Sequence, residues 1–122
     1  FSDADLLMIP GGMPGAKNLD EHKGVRNALL AHAKQGKLLS AICAGPMVLG
    51  HLGLLDGLRA TCYPGFEGEL KGATYTAQLV TVDGNVVTGK GPAAAFEYAF
   101  TLLSILKGEK VVSDLRKGMM FE

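Results

Sequence analysis

The chain has 122 residues, and its 12 lysine and arginine residues balance its 12 aspartate and glutamate residues. A net charge of zero disfavours nucleic acid and anionic membranes as electrostatic partners, and no apolar run approaches the ~18 residues that a membrane span needs. Hydrophobic residues make up 48% of the chain, which predicts one folded core rather than long disorder. The two cysteines, Cys43 and Cys62, are too few for a disulfide scaffold or a four-thiolate zinc site.

The first half of the chain alternates between strand-like and helix-like segments. Leu6–Ile9 is a short apolar run that ends in a glycine turn, which predicts a buried strand. Residues 20–35 carry apolar side chains at helical spacing and predict a helix. Leu38–Ile42 predicts a second buried strand, and Pro46 suits the first turn of a helix over about residues 46–52.

The second half begins with β-rich segments. Residues 59–63 predict a third strand, and residues 66–70 predict one helical turn. Residues 75–82 and 85–88 flank an Asp-Gly pair, which indicates a hairpin.

Two helices are predicted at the end of the chain, over residues 93–106 and 109–116. The first has apolar residues at helical spacing, and we expect them to form its buried stripe. They are Phe96, Ala99, Phe100, Leu103 and Leu106.

This order of elements favours one α/β domain over residues 1–122 with a mostly parallel sheet. Functional sites in such sheets form at the carboxyl ends of the strands. Three glycine-rich turns follow predicted strands, at residues 10–12, 43–46 and 89–92. We therefore expect these turns to converge at one end of the sheet.

Cys43 is the leading catalytic candidate because it lies between a buried strand and a predicted helix start. A sharp turn there exposes the side chain as in a nucleophile elbow, and a helix N-terminus favours the nucleophilic thiolate. The Ala44 amide would point into the same space and could hold an oxyanion. The alternative is that Cys43 is simply a small buried hydrophobic residue.

The remaining chemical candidates are weaker. We expect His22 and His32 at or near the surface of the first helix, and His51 solvated or partly packed near the end of the second. We expect Cys62 to be a buried strand cysteine rather than a resolving thiol, and the apparent lack of a secretory context disfavours a disulfide with Cys43. We expect the nearby carboxylates to be solvated charges on helices rather than general bases. They are Glu67, Glu69 and Glu97.

Four segments together resemble the ThiJ/PfpI superfamily, in particular its branch of Parkinson-disease-associated protein deglycases. They are Leu-Met-Ile-Pro-Gly-Gly at 7–12, Ala-Ile-Cys-Ala-Gly-Pro at 41–46, Thr-Gly-Lys-Gly-Pro at 88–92 and Phe-Glu-Tyr-Ala at 96–99. The resemblance covers nearly the whole chain and implies a flavodoxin-like, three-layer α/β sandwich that is usually dimeric. It also implies that Cys43 is the nucleophile.

The resemblance implies further roles for residues around the cysteine. The amides of Gly12 and Ala44 would be the oxyanion donors, and the site loops would contain Gly11, Gly45, Gly91 and Pro92. Many relatives have a histidine where this chain has Tyr63, so Tyr63 is expected to orient the substrate. A phenol is a poor base at neutral pH, which disfavours a Cys-His-acid peptidase triad.

The family's first strand, and a glutamate that lies against the cysteine, have no counterpart in this sequence. The resemblance therefore implies that the chain corresponds to the C-terminal two-thirds of such a domain, with its N-terminal part absent. That part would be missing, disordered or on another chain.

Relatives of this branch are described as cofactor-free glyoxalases or deglycases, oxidative-stress sensors and chaperones, and more distant ones as peptidases. We expect a cysteine-dependent glyoxalase or deglycase that acts on small dicarbonyls such as methylglyoxal without a cofactor or metal. The alternatives are a redox-sensing or chaperone-like stress protein that uses the same cysteine, and an amidase or peptidase. A homodimer in the cytoplasm, with no nucleic acid or membrane partner, is the expected setting.

Overall fold

The structure, a computed structural model, describes residues 1–121. Its strands are β1 (Leu6–Ile9), β2 (Leu38–Ile42), β3 (Arg59–Ala60), β4 (Thr74–Tyr75), β5 (Val80–Asp83) and β6 (Val86–Gly89). Its helices are α1 (Gly15–Glu21), α2 (Lys23–Lys34), α3 (Pro46–His51), α4 (Ala95–Lys107) and α5 (Glu109–Gly118). Two 3-10 turns lie at Glu67–Glu69 and Pro92–Ala94.

Four strands form the central sheet in the order β1-β2-β6-β5. The strands β1, β2 and β6 are parallel, and β5 pairs with β6 in the antiparallel direction because the two form a hairpin. The prediction of a mostly parallel sheet is therefore confirmed. The short strands β3 and β4 pair with each other in a separate parallel ladder.

Alternating side chains on the central strands bury both faces of the sheet, which is why β2 is apolar almost throughout. Leu39 and Ala41 pack in a core with α2 and α3 on one face. Leu38 packs with Tyr98 and Leu102 of α4 on the other face. The predicted three-layer α/β arrangement is confirmed.

The predicted helix over residues 20–35 is wrong in its boundaries. The chain forms α1 first and then breaks at His22, whose backbone is extended (φ −81, ψ 113). The His22 ring nitrogen Nδ1 accepts a hydrogen bond from the amide of Val25 at 3.1 Å and so begins α2. Histidine is not among the usual N-cap residues, so the sequence gives little sign of this break.

Two predicted strands are also shorter than expected. The third strand keeps only Arg59–Ala60, because the amide of Thr61 turns to the side-chain oxygen of Thr88 at 2.9 Å. The predicted strand over residues 75–82 splits at Ala77, which has a positive φ of 58. The hairpin is confirmed, with its turn at Gly84 and Asn85.

The predicted stripe on α4 is wrong. The residues that face the sheet are Tyr98 and Leu102, whereas Phe96 is 55% exposed. Of the predicted stripe, Phe100 is buried and stacks edge-on against Phe121, with ring centroids 5.2 Å apart. The remaining residues of the stripe are partly or fully exposed: Ala99, Leu103 and Leu106. Apolar residues lie around most of α4, so their spacing alone does not show which side of the helix packs against the sheet. The side that does so includes Tyr98, whose ring is largely apolar.

Within residues 1–121, no helix combines the length and apolar character needed to cross a membrane.

Close backbone packing at Gly50 joins α3 to the 3-10 turn at Glu67–Glu69. A Cβ atom on Gly50 would lie 2.2 Å from the backbone oxygen of Glu69 and 3.0 Å from the Cα of Leu70. Real side chains do not approach a backbone atom so closely, so glycine is required for these two elements to touch.

We expect Gly50→Ala to lower the free energy of unfolding by about 1–3 kcal/mol, because the backbone of the turn must move away from α3. The measurement is urea-induced unfolding followed by circular dichroism. The control is Gly68→Ala in the same turn, where a new Cβ meets only open space. Equal destabilisation by the two substitutions would contradict the packing argument.

Candidate active site

Cys43 lies in the turn between β2 and α3 with a backbone φ of 66. This left-handed conformation is uncommon for a residue with a side chain and costs of order 1–3 kcal/mol. Two hydrogen bonds hold it: the Cys43 amide donates to the carbonyl of Gly89 at 2.9 Å, and the Cys43 carbonyl accepts from the amide of Tyr63 at 2.8 Å. The elbow predicted from the sequence is therefore present, and two other loops fix it.

The first glycine turn lies directly against the cysteine. A Cβ on Gly11 would be 2.5 Å from the Cβ of Cys43 and 3.3 Å from the amide nitrogen of Ala44. Gly45 makes a similar approach, because its Cβ would lie 2.8 Å from the carbonyl oxygen of Ile9. The structure thus brings together the turns at residues 10–12, 43–46 and 89–92, as expected.

Two amides beside the cysteine are free. Among the described residues, no acceptor pairs with the amide of Gly12 or with that of Ala44. Gly12 has a positive φ of 86, which favours glycine at that position. Unpaired amides next to a nucleophile are the donors that an oxyanion needs, although the role of these two stays a prediction.

Tyr63 borders a cavity of about 180 Å³ next to the site. Its ring lies beside Gly91, where an added Cβ would be 3.3 Å from Cδ2 of Tyr63. The walls of the cavity are almost entirely apolar, and they include Pro64, Leu79, Pro92, Ala93 and Ala94. Two larger cavities, of about 310 and 280 Å³, lie along α4 and are lined by residues such as Phe100 and Arg116. Those cavities contain none of the predicted site residues.

The second cysteine is chemically distinct from the first. Cys62 is fully buried, whereas Cys43 is partly exposed. Burial raises the pKa of the Cys62 thiol to about 11, and the negative charges of Glu67 and Cys43 add to the rise. Both cysteines are free, so the disfavoured disulfide is not formed.

None of the three histidines contacts Cys43 through a hydrogen bond within the described part of the chain. The expected surface position is correct for His22 and wrong for His32, which is 3% exposed and hydrogen-bonded through Nε2 to the carbonyl of Leu38 at 2.8 Å. His51 lies between two carboxylates, with Nδ1 2.8 Å from Asp20 Oδ2 and Nε2 3.2 Å from Glu69 Oε1.

The three carboxylates named from the sequence differ in their surroundings. Glu67 is exposed, and hydrogen bonds from its own amide and from that of Gly65 hold its pKa below the usual value. Glu97 is an exposed residue of α4, as expected. Glu69 is a partly exposed residue of the 3-10 turn, and it pairs with His51. Within residues 1–121, no cluster of histidine, cysteine and carboxylate side chains has the geometry to hold a metal ion.

The sequence matches the DJ-1/PfpI family over residues 1–105. The chain belongs to this family. It is similar over 98% of its length to the crystal structure of DJ-1beta from Drosophila melanogaster, with a TM-score of 0.92 and 34% identity, and it covers 66% of that chain. This likeness confirms the flavodoxin-like fold that the resemblance implied.

Three curated members of the DJ-1/PfpI family resemble the chain over most of its length. They are the Parkinson disease protein 7 homolog of Danio rerio (33% identity over 97% of the chain), the glutathione-independent glyoxalase DJR-1.2 of Caenorhabditis elegans (36% over 94%) and the isonitrile hydratase of Pseudomonas putida (35% over 85%). The chain spans 64%, 62% and 46% of these proteins, respectively. The family therefore includes named enzymes of more than one reaction type.

We expect iodoacetamide to modify Cys43 before Cys62 at neutral pH. Cys43 is accessible, whereas Cys62 is buried and keeps its proton until the pH approaches about 11. Peptide mapping by mass spectrometry after timed labelling measures both rates. Labelling in urea is the control, since both thiols should then react, and faster modification of Cys62 in the folded protein would contradict the assignment.

We expect Gly11→Ala to slow the alkylation of Cys43, because the new Cβ displaces the elbow. The matched control is Gly15→Ala at the start of α1, where a Cβ meets no atom within 4 Å. The measurement is the alkylation rate in native buffer beside the unfolding midpoint. An unchanged rate in Gly11→Ala would show that the turn does not position Cys43.

Proposed function

We propose that this DJ-1/PfpI chain belongs to a cysteine-dependent glyoxalase or deglycase that acts on small dicarbonyls such as methylglyoxal. The observation that carries the proposal is the elbow itself. Cys43 is held at a positive φ by bonds to two other loops, and the unpaired amides of Gly12 and Ala44 lie in the adjoining turns. This arrangement suits nucleophilic attack on a carbonyl carbon.

The reaction needs no external oxidant or reductant. The Cys43 thiolate would add to the aldehyde carbon of methylglyoxal, and the carbonyl electron pair would move to oxygen to give a hemithioacetal. A base would then move the proton of that carbon to the neighbouring carbonyl carbon, while the hydroxyl proton passes to the neighbouring oxygen, leaving a thioester. Water would cleave the thioester to a hydroxy acid and return the thiol, so the net change is the addition of one water molecule.

The amides of Gly12 and Ala44 would stabilise the negative charge that develops on oxygen. Loss of one such donor typically costs about 2.7–4 kcal/mol of transition-state stabilisation. Tyr63 would orient the substrate beside the apolar cavity that it borders. The proton transfer itself requires a base, and the resemblance implies a glutamate that lies against the cysteine.

Amide or peptide hydrolysis is less well supported. Cleavage of an amide requires a group that protonates the leaving nitrogen, and Tyr63 occupies the position where the resemblance leads us to expect a histidine. The C. elegans relative that is named a glyoxalase supports a carbonyl substrate, whereas the P. putida isonitrile hydratase shows that another small electrophile is within the range of the family. A cytoplasmic homodimer remains the expected setting.

We expect Cys43→Ala to abolish methylglyoxal consumption, because it removes the nucleophile, and Cys62→Ala to retain it. The measurement is loss of methylglyoxal with formation of lactate, made on the protein after its intact mass is confirmed. Cys62→Ala is the matched control, because it also removes one thiol from a residue next to Tyr63. Equal turnover by the Cys43→Ala protein would refute the mechanism.

An isonitrile substrate tested in parallel separates the two enzyme types. A folded protein that turns over neither substrate, but gains oxygen at Cys43 under mild peroxide, would instead support the redox-sensing alternative.

A further inference from the structure

Three of the loops that meet at Cys43, including the one that contains Tyr63, continue into segments that pack against one another. The Gly11–Gly12 turn leads into α1, Cys43 leads into α3, and the loop that contains Tyr63 leads into the 3-10 turn at Glu67–Glu69. The position of these segments relative to one another therefore sets the spacing of the site loops.

The first point of attachment lies close to the site and is apolar. Ala16 of α1, Ala44 of the elbow and Met47 of α3 are all buried together, and Phe66 packs against them. This cluster holds the near ends of the three segments through van der Waals contact alone.

The second point of attachment lies farther from the site and is ionic. His51, the last residue of α3, bonds through Nδ1 to Asp20 on α1 and through Nε2 to Glu69. Next to it, Gly50 lets the backbones of α3 and the turn come into contact. One imidazole thus connects all three segments.

The residue spacing places the apolar cluster and the His51 contacts on the same face of each segment. Asp20 follows Ala16 by four residues, His51 follows Met47 by four, and Glu69 follows Phe66 by three. Side chains at these spacings lie on one face of a helix or helical turn. The apolar cluster and the ionic contact are therefore successive layers of one interface.

We propose that His51 is a positioning residue whose protonated ring braces α1 and the Glu67–Glu69 turn against α3 and so fixes the loops that contain Gly12, Cys43 and Tyr63. Any effect of His51 on turnover rests on the proposed function. The effect of His51 on the position of the loops rests only on the contacts described above.

The charge of the ring decides whether both contacts form. An ionised carboxylate only accepts hydrogen bonds, so Asp20 and Glu69 can both be satisfied only when both ring nitrogens of His51 carry protons. Arg26 of α2 also approaches Asp20, with Nη1 3.6 Å from Oδ1. The strand β2, which also packs against α3, has no titratable side chain.

The brace needs the charged ring, so it should weaken at a pH high enough to deprotonate His51. A neutral ring has one N–H and can donate to only one carboxylate. Glu69 is the partner expected to separate, because its contact is the longer of the two at 3.2 Å and its side chain is 45% exposed, against 16% for Asp20. Release of Glu69 would loosen the segment that begins at Tyr63.

The test is amide hydrogen exchange by mass spectrometry over residues 63–70, at about pH 5 and about pH 8, corrected for the intrinsic effect of pH on exchange. In the natural sequence we expect protection to fall about 5-fold at the higher pH, the size of one partly exposed ion pair. His51→Gln should show the low protection at both pH values. His51→Lys keeps a charge throughout and should retain the high protection at both.

His22→Asn is the matched control, because it removes a histidine from another helix end while keeping a good N-cap residue. It should leave the pH dependence of residues 63–70 unchanged. Glu69→Ala gives a second route if a His51 variant fails to fold, since it removes only the contact to the turn. It should lower the protection of residues 63–70 and abolish its pH dependence.

Protection that does not change with pH in the natural sequence, or that is the same in His51→Gln, would overturn the brace. So would a pH dependence that disappears in His22→Asn. The exchange measurement requires no turnover, so a protein inactive on methylglyoxal that shows the expected exchange refutes the proposed function and keeps the brace. With an active protein, we expect the ratio of the His51→Lys rate to the natural rate to rise with pH.

Discussion

The approach of three backbones at one end of the sheet is the constraint on which the rest of the site depends. A Cβ on Gly11 would collide with the Cβ of Cys43, and a Cβ on Gly45 would collide with the carbonyl oxygens of Ile9 and Pro10. Any side chain at either glycine would push β1 away from the start of α3. Because the parallel strands β1, β2 and β6 all end here, this contact turns the common edge of the sheet into one small site.

The three histidines are used to hold the framework. His22 begins α2, His32 binds the carbonyl of Leu38, and His51 joins two carboxylates. Cys43 consequently has only backbone hydrogen-bonding partners among the described residues. Catalysis at such a site would depend on a rigid arrangement of peptide groups, which costs little reorganisation when charge develops.

Much of this arrangement could be predicted from the sequence because it depends on local patterns. Short apolar runs followed by glycine turns identify Leu6–Ile9 and Leu38–Ile42 as parallel strands, and their order along the chain places the turns at one edge. The expected burial of the first strand is wrong, because β1 lies at the edge of the sheet, only its Ile9 is buried and Met8 is 54% exposed. Cys43 follows from the same pattern, since it separates a strand from a helix start.

The errors arise where distant contacts decide the structure. The sheet-facing side of α4 depends on how Tyr98 packs, and apolar residues elsewhere on that helix conceal it. The partners of His51 lie 31 and 18 residues away, so no motif brings them together. The four-residue spacing of Met47 and His51 was the one available signal, and it identifies a shared face without identifying a partner.

The positive φ of Cys43 also affects which residue types suit position 43. Glycine adopts this conformation without the penalty, so the residue best suited to the turn is one that has no thiol. Selection for a more stable fold and selection for a reactive sulfur therefore favour different residues at this position. A cysteine at this position therefore carries a stability cost that a glycine would not.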